Sequence, residues 1–299
     1  MRAFFAFLIN SNLYIAVAAL LWWYAGFAWI SPKFANPFSF GRDAKLLSEV
    51  ALLSSVVFWA TLLVYNIDVL LPESTQKTAG LSSGQRWRLK HYRLNLILVI
   101  LAIIALFSML FWLSLPVLLA FLGLGFLCLL YYLPYFPGLS IGLRHVPYTK
   151  IFLISTVWAA IGSIIPALLL AANPLLVLPN FGMKFLFIFG LCLPFDLKDQ
   201  HIDQMQLLKT IPQKLSQTKT LLLVLFTHLL FLFTGFVLCE FSLPPFLYLS
   251  FAYVVVLCFS HHYLLKRPLL YTLAWDGGIY IYSLLLLIEQ LAVVIATKN

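Results

Sequence analysis

Residues 94–113 read LNLILVILAIIALFSMLFWL, and residues 115–134 read LPVLLAFLGLGFLCLLYYLP, with Ser114 alone between them. Neither run contains Asp, Glu, Lys, Arg or His. Each is long enough to cross the hydrocarbon core of a bilayer, which takes roughly 20 apolar residues in a helix. In lipid the backbone polar groups must be satisfied within the segment or in a closed barrel. Barrel strands alternate apolar and polar residues. These runs are continuous, so they read as two membrane helices joined in a tight hairpin.

The same pattern extends outward over the chain. Of its 299 residues, 63% are hydrophobic and 10% are charged, with a mean hydropathy of +1.00. A soluble domain of this length would carry about 25% charged residues. Lipid must therefore solvate much of the apolar surface. Candidate spans are 12–30, 47–71, 94–113, 115–134, 149–172, 178–195, 219–239, 245–265 and 277–296. A second hairpin falls at Glu240–Pro244. The expected fold is all-α: a polytopic transmembrane helical bundle of about nine spans, one integral membrane domain over 1–299. The first apolar run lacks a polar cleavage region after it and reads as a span, not a removed signal peptide. Cys128, Cys192, Cys239 and Cys258 lie in apolar runs without CxxC spacing and read as packing residues.

The formal charge is +9. In a membrane chain this is mostly a topology signal and implies no nucleic-acid binding. With the N-terminus inside, the inner segments hold 14 basic residues and the outer ones 5, namely Lys33, Arg42, Lys45, Lys184 and Lys298. The expected orientation is N-terminus inside and C-terminus outside. The two longest inner loops follow the second and sixth spans. Each opens on acidic residues at a helix end, Tyr65-Asn66-Ile67-Asp68 and Pro194-Phe195-Asp196-Leu197-Lys198-Asp199. That repeat suggests two four-helix halves plus a ninth helix, with a site at their interface.

Asp196, Asp199 and Asp203 fall at i, i+3 and i+7, within ~60° of one another on a helix. Like charges on one face repel. Mg²⁺ takes oxygen ligands, commonly one or two carboxylates with substrate phosphates. The segment therefore reads either as a Mg²⁺–diphosphate site or as a polar extension ending the sixth span. Arg86, Arg88, Lys90 and Arg93, with Arg144 and Lys150, supply cations for phosphate oxygens or simply mark the inner face. His91, His145 and His201 lack zinc spacing.

The stretch Asp196-Leu-Lys-Asp199-Gln-His-Ile-Asp203, followed by Lys209-Thr210-Ile211-Pro212, resembles the second aspartate-rich motif of the UbiA superfamily of intramembrane prenyltransferases. That motif reads D-x-x-D-x-x-x-D, then Thr, an apolar residue and Pro. The usual Arg before the first Asp is Phe195 here, and the usual Gly before the last is Ile202. Tyr148-Thr149-Lys150 through Trp158, Leu193 through Lys214, Tyr131-Tyr132, and Trp275-Asp276-Gly277 before the ninth span are also family-like. They look most like a divergent branch common in Bacteroidetes-type bacteria. The first family motif, N-D-x-x-D-x-x-x-D, departs: Asn66 is present, but Ile67, Leu70 and Ser74 stand where its aspartates belong, with Asp68 and Glu73 out of register.

The resemblance implies a prenyltransferase of the bacterial cytoplasmic (inner) membrane. It would move an isoprenyl group from a prenyl diphosphate to an aromatic or lipid acceptor, with Mg²⁺ as cofactor. On this reading Asp196, Asp199 and Asp203 hold the metal. Asn66 and Asp68 act as a reduced catalytic set, and Arg88, Arg144 and Lys150 bind the diphosphate. The helix should end early near Asn66, since Pro72 disfavours helix just before it. Two rival readings stand. One is a non-catalytic binder of isoprenoid lipids, supported by the eroded first motif. The other is a transporter on a duplicated bundle, opposed by the scarcity of mid-span ionisable residues beyond Glu289 and His228.

Overall fold

The structure is a computed structural model, and it describes residues 2–30, 44–70, 81–132, 143 and 146–296. Among these, nine helices are long and apolar enough to cross a membrane, and no strand occurs. The chain is an integral membrane protein of the all-helical bundle type. Its spans are α2 (Leu13–Ile30), α3 (Ala44–Asn66), α5 (Tyr92–Leu110), α6 (Leu115–Tyr132), α7 (Thr149–Leu169), α8 (Pro174–Lys198), α10 (Gln217–Leu238), α11 (Pro245–Leu265) and α12 (Pro268–Ala296). Three short helices, α1 (Arg2–Asn10), α4 (Ser83–Lys90) and α9 (Gln200–Met205), gather at one end of the bundle.

Local chemistry sets several helix starts. Asn173 caps α8, its side chain accepting from the Leu175 amide at 3.0 Å, and Pro174 follows at the first helical position, where a missing N–H costs nothing. Ser82 and Gln85 form a reciprocal capping box on α4. The ninth span begins at Pro268, nine residues before the expected 277. Arg267 offers its carbonyl to the Tyr271 amide, and Pro268 stands at the first helical position. Arg267, Thr272 and Asp276 lower the local hydropathy, so the sequence reads as a loop what is a helix with a polar first third.

Helix packing depends on small residues, as expected where no hydrophobic force acts between helices in lipid. Gly26 of α2 lies against Gly162 of α7, and Ala18, Ala19 and Ala25 of α2 and Ala159 of α7 are buried as well. Trp22 Nε1 donates to the Trp158 carbonyl at 2.8 Å. Lys184, expected in an outer loop, lies fully buried within α8, where its Nζ donates to the Gly162 carbonyl and sits 5.7 Å from the Trp22 ring centroid. It therefore leaves the outer basic count and ties α8 to α7. Beside it Trp22, Phe187, Tyr282, Phe231 and Phe246 form a buried aromatic cluster with centroids 4.9–6.0 Å apart. Lipid takes the outer faces, as on α5, where Ile97, Ile104 and Phe107 are exposed.

The mid-span polar residues named from sequence have structural partners. Glu289 Oε2 accepts from the Phe246 amide at 3.1 Å, satisfying a free N–H at the start of α11. His228 Nδ1 bonds the Val224 carbonyl one turn back at 2.8 Å, within the aromatic cluster.

Candidate functional site

A cavity of about 500 Å³ opens among α2, α3, α7, α8 and α12, under α4 and α9. Helical spacing builds its walls. Lys150, Ile154 and Trp158 stand at i, i+4 and i+8 on α7. Ile188, Leu191, Cys192, Phe195, Asp196 and Asp199 form a stripe down one face of α8. Thr272, Trp275, Asp276 and Ile279 do the same on α12. From Ile188 to Asp199 the stripe on α8 rises eleven steps, or ~16 Å at 1.5 Å per residue. The stripes on α7 and α8 grade from charged at one end to apolar at the other, while α12 carries Asp276 between Trp275 and Ile279. The charged end holds Arg86, Arg88, Lys150, Lys198, Asp196 and Asp199, and the apolar end holds Trp158, Ile188 and Ile279.

Lys150 organises the acidic motif. Its Nζ lies 2.8 Å from Asp196 Oδ1 and 3.3 Å from each carboxylate oxygen of Asp203. Asp203 is buried, does not line the cavity, and reaches Lys150 across 53 residues of sequence. Burial pushes its carboxyl above the usual range, and Lys150 pulls it partly back. Asp199 stands apart at the junction of α8 and α9, on the cavity wall, 3.7 Å from Lys198 Nζ. The expected set of three aspartates on one ion is thus divided. A lysine bridges two of them, and Asp196 and Asp199 face the cavity.

The residue just before the Thr-x-Pro tail of the motif anchors the backbone two residues ahead of this lysine. The Lys209 carbonyl accepts from the Tyr148 amide at 2.9 Å, with Tyr148 at a left-handed φ of 67° just before α7. Gln200 Nε2 donates to the Pro212 carbonyl at 3.4 Å and Gln213 Nε2 to the Leu208 carbonyl at 2.8 Å, folding the segment back on α9. The position of Lys150 thereby depends on a turn some 60 residues further along the chain.

Asn66, expected as a catalytic residue, lies apart from this cluster. It is fully buried and does not line the cavity. Its Nδ2 donates to the Ser11 carbonyl at 3.2 Å and the Leu62 carbonyl at 2.9 Å, while its Oδ1 accepts from Asn12 Nδ2 at 3.0 Å. Asn12, at φ 61° between α1 and α2, also donates to the Tyr65 carbonyl at 2.8 Å. The side chain of Asn66 is consumed in tying the α1–α2 break to the end of α3. The α-helix stops there as expected, giving way to a 3-10 turn over Ile67–Leu70 that contains Asp68. Arg144 lies outside the described residues.

Arg88, Lys150, Asp196 and Asp199 are thus brought to one cavity as the sequence suggests. Sequence reasoning missed Asp276 and Lys198 as cavity residues. The signal for Asp276 was its helical spacing from Thr272 and Ile279, hidden once the span was started at 277.

The donor set fits one divalent cation. Among the described residues no group of three or more His, Cys, Asp or Glu is placed to hold a metal alone. Asp196 and Asp199 supply two carboxylates on the cavity wall, the number Mg²⁺ takes when phosphate oxygens complete its shell.

No protein-family model matches the sequence, and no curated protein matches it. Two solved structures share its fold. A digeranylgeranylglyceryl phosphate synthase aligns with a TM-score of 0.54 and 16% identity, over 98% of this chain and 100% of that one. An apo UbiA homolog from Aeropyrum pernix K1 aligns with a TM-score of 0.59 and 15% identity, over 92% and 97%. At such identities the likeness is one of fold.

Proposed function

We propose, from the premise that this chain has the UbiA-type prenyltransferase fold, that it moves an isoprenyl group from a prenyl diphosphate to an aromatic or lipid acceptor. The observation that carries this reading is the polarity gradient of the cavity, from Arg86, Arg88, Lys150 and Lys198 down to Trp158, Ile188 and Ile279. A diphosphate on a hydrocarbon tail has the same gradient. The basic side chains neutralise the charge that grows on the leaving diphosphate, and they do so in a site of low dielectric where such contacts are strong. Arg88 and Arg86 offer forked donors, and Lys150 a point charge. Asp196 and Asp199 would hold Mg²⁺, which supplies further charge neutralisation to the diphosphate when bound. The apolar slot excludes water from the prenyl carbon, which would otherwise be hydrolysed.

Purified protein should bind labelled farnesyl diphosphate in a Mg²⁺-dependent way. Asp199→Ala should weaken that binding at least about tenfold, or ~1.4 kcal/mol. Equal binding by the wild type in EDTA removes the metal from the reading. Absence of binding under either condition removes the diphosphate as well.

A second reading, a non-catalytic isoprenoid binder, is favoured by one observation. The first-motif Asn66 is committed to backbone carbonyls and stands off the cavity. Both readings expect diphosphate or tail binding; only the first expects product. A thin-layer assay of prenyl transfer into membrane extract separates them.

The orientation proposed is N-terminus inside the cytoplasmic membrane and C-terminus outside, since removing Lys184 from the outer loops sharpens the charge bias. Reporters fused within 72–93 and 196–218 should report cytoplasm, and one at Asn299 the outside. A cytoplasmic signal at Asn299 overturns this topology.

A further inference from the structure

We propose that Asp276 recognises the acceptor, its carboxylate accepting a hydrogen bond from an acceptor hydroxyl inside the cavity. The proposal rests on the prenyl-transfer reading above and names the acceptor class for that site.

Asp276 lies eight residues into α12, ~12 Å along the helix from Pro268, and it lines the cavity between Trp275 and Ile279. No described residue forms a hydrogen bond or ion pair with it. None of the nearby tyrosines bonds to it: Tyr65 accepts from Trp158 Nε1 at 3.2 Å, and three others spend their hydroxyls on backbone carbonyls. Tyr14 donates to Leu273 at 3.2 Å, Tyr253 to Ala274 at 2.7 Å and Tyr280 to Tyr14 at 2.5 Å. Lys198 acts on it electrostatically but makes no ion pair with it. A carboxyl group within a membrane-spanning helix is costly and normally pairs with something.

The partner must come from a ligand. A prenyl diphosphate does not qualify. Its head group is an anion, which a carboxylate repels, and its tail has no donor. The second substrate has to enter the apolar slot and also carry a donor. A neutral hydroxyl, on a lipid alcohol or a phenol, meets both demands. A charge-assisted hydrogen bond to it would orient the acceptor oxygen beside the prenyl carbon.

The test uses full-length protein in detergent. Saturation binding is measured for two tritiated pairs, 4-hexylphenol with its methyl ether and 1-decanol with its methyl ether. Methylation removes the donor and keeps the shape. Wild type and Asp276→Leu are compared, so partition into detergent cancels in the ratio of ratios. Leucine is close in shape to aspartate and suits an apolar wall. The wild type should prefer the hydroxyl member of at least one pair by about tenfold, the worth of one hydrogen bond to a charged group. Asp276→Leu should lose the preference, and Asp276→Asn should keep part of it, since an amide oxygen still accepts. No preference in either pair, or a preference that survives in Asp276→Leu, overturns the proposal. Retention of farnesyl diphosphate is measured on the same preparations. Its loss in the wild type overturns the prenyl-transfer reading and the acceptor role together. Its persistence in Asp276→Leu shows that the variant is folded and isolates the acceptor subsite.

Discussion

Lys150→Met is expected to destabilise the protein by about 2–3 kcal/mol at neutral pH, somewhat below the cost of breaking a fully buried ion pair because the lysine side chain is a quarter exposed. The lysine holds two carboxylates, one at 2.8 Å and one at 3.3 Å, and both of those side chains are only 5% exposed. Methionine keeps the apolar stem and leaves both acids without a counter-ion. The loss should be smaller at pH 5 than at pH 8. Burial already raises the carboxyl of Asp203 above the ordinary range. Protonation therefore relieves the unpaired charge as pH falls, and the penalty grows as pH rises through that carboxyl's folded value. Adding Asp196→Asn and Asp203→Asn to Lys150→Met should recover much of the stability, since the cost lies in the orphaned charges. Unfolding in detergent, followed by tryptophan fluorescence at the two pH values, measures all of this. A single variant as stable as wild type at pH 8 would sink the claim that Lys150 is the organising charge. Because the same lysine faces the cavity, diphosphate binding should also fall in every variant that lacks it.

Gly26→Ala is expected to cost about 3 kcal/mol or more, at the upper end of what overpacking does. A Cβ at this position would land on the backbone carbonyl of Gly162 and 2.7 Å from Lys184 Nζ. Neither atom can turn aside. The carbonyl belongs to the rigid backbone of α7, and the amine is held by that carbonyl. Helices α2 and α7 would have to separate, breaking the Trp22 bond to the Trp158 carbonyl as well. Trp158 lines the cavity, so diphosphate retention should fall with stability. Gly123→Ala on α6 provides the control. Nothing lies within 4 Å of a Cβ there, and alanine is the better helix former by about 1 kcal/mol. Thermal unfolding of the two variants in one detergent should differ widely. Equal midpoints would overturn the close packing of α2 on α7.

The class of fold, the nine spans found among the described residues and most of their ends follow from the sequence alone. The reason is that each is a local matter. A run without charge has to be a helix in lipid whatever its neighbours are, and a Pro or Asn at its start acts within one turn. The one-face spacing of Asp196 and Asp199 was legible for the same reason, because helical period is a property of a single segment. Pairings between segments came only with the packing of the helices. Lys150 meets Asp196 and Asp203 across 46 and 53 residues of chain. Asn66 joins Ser11 and Asn12 and so leaves the site it was expected to serve. Lys184 is hidden against Gly162 because Gly26 and Gly162 leave room for it. Asp276 belongs to the cavity because α12 starts at Pro268. Hydropathy averages over a window, so one buried lysine or one cavity-facing aspartate disappears into it. The position of such a group is set by which small residue or which open space stands opposite, and that is fixed only when distant helices pack.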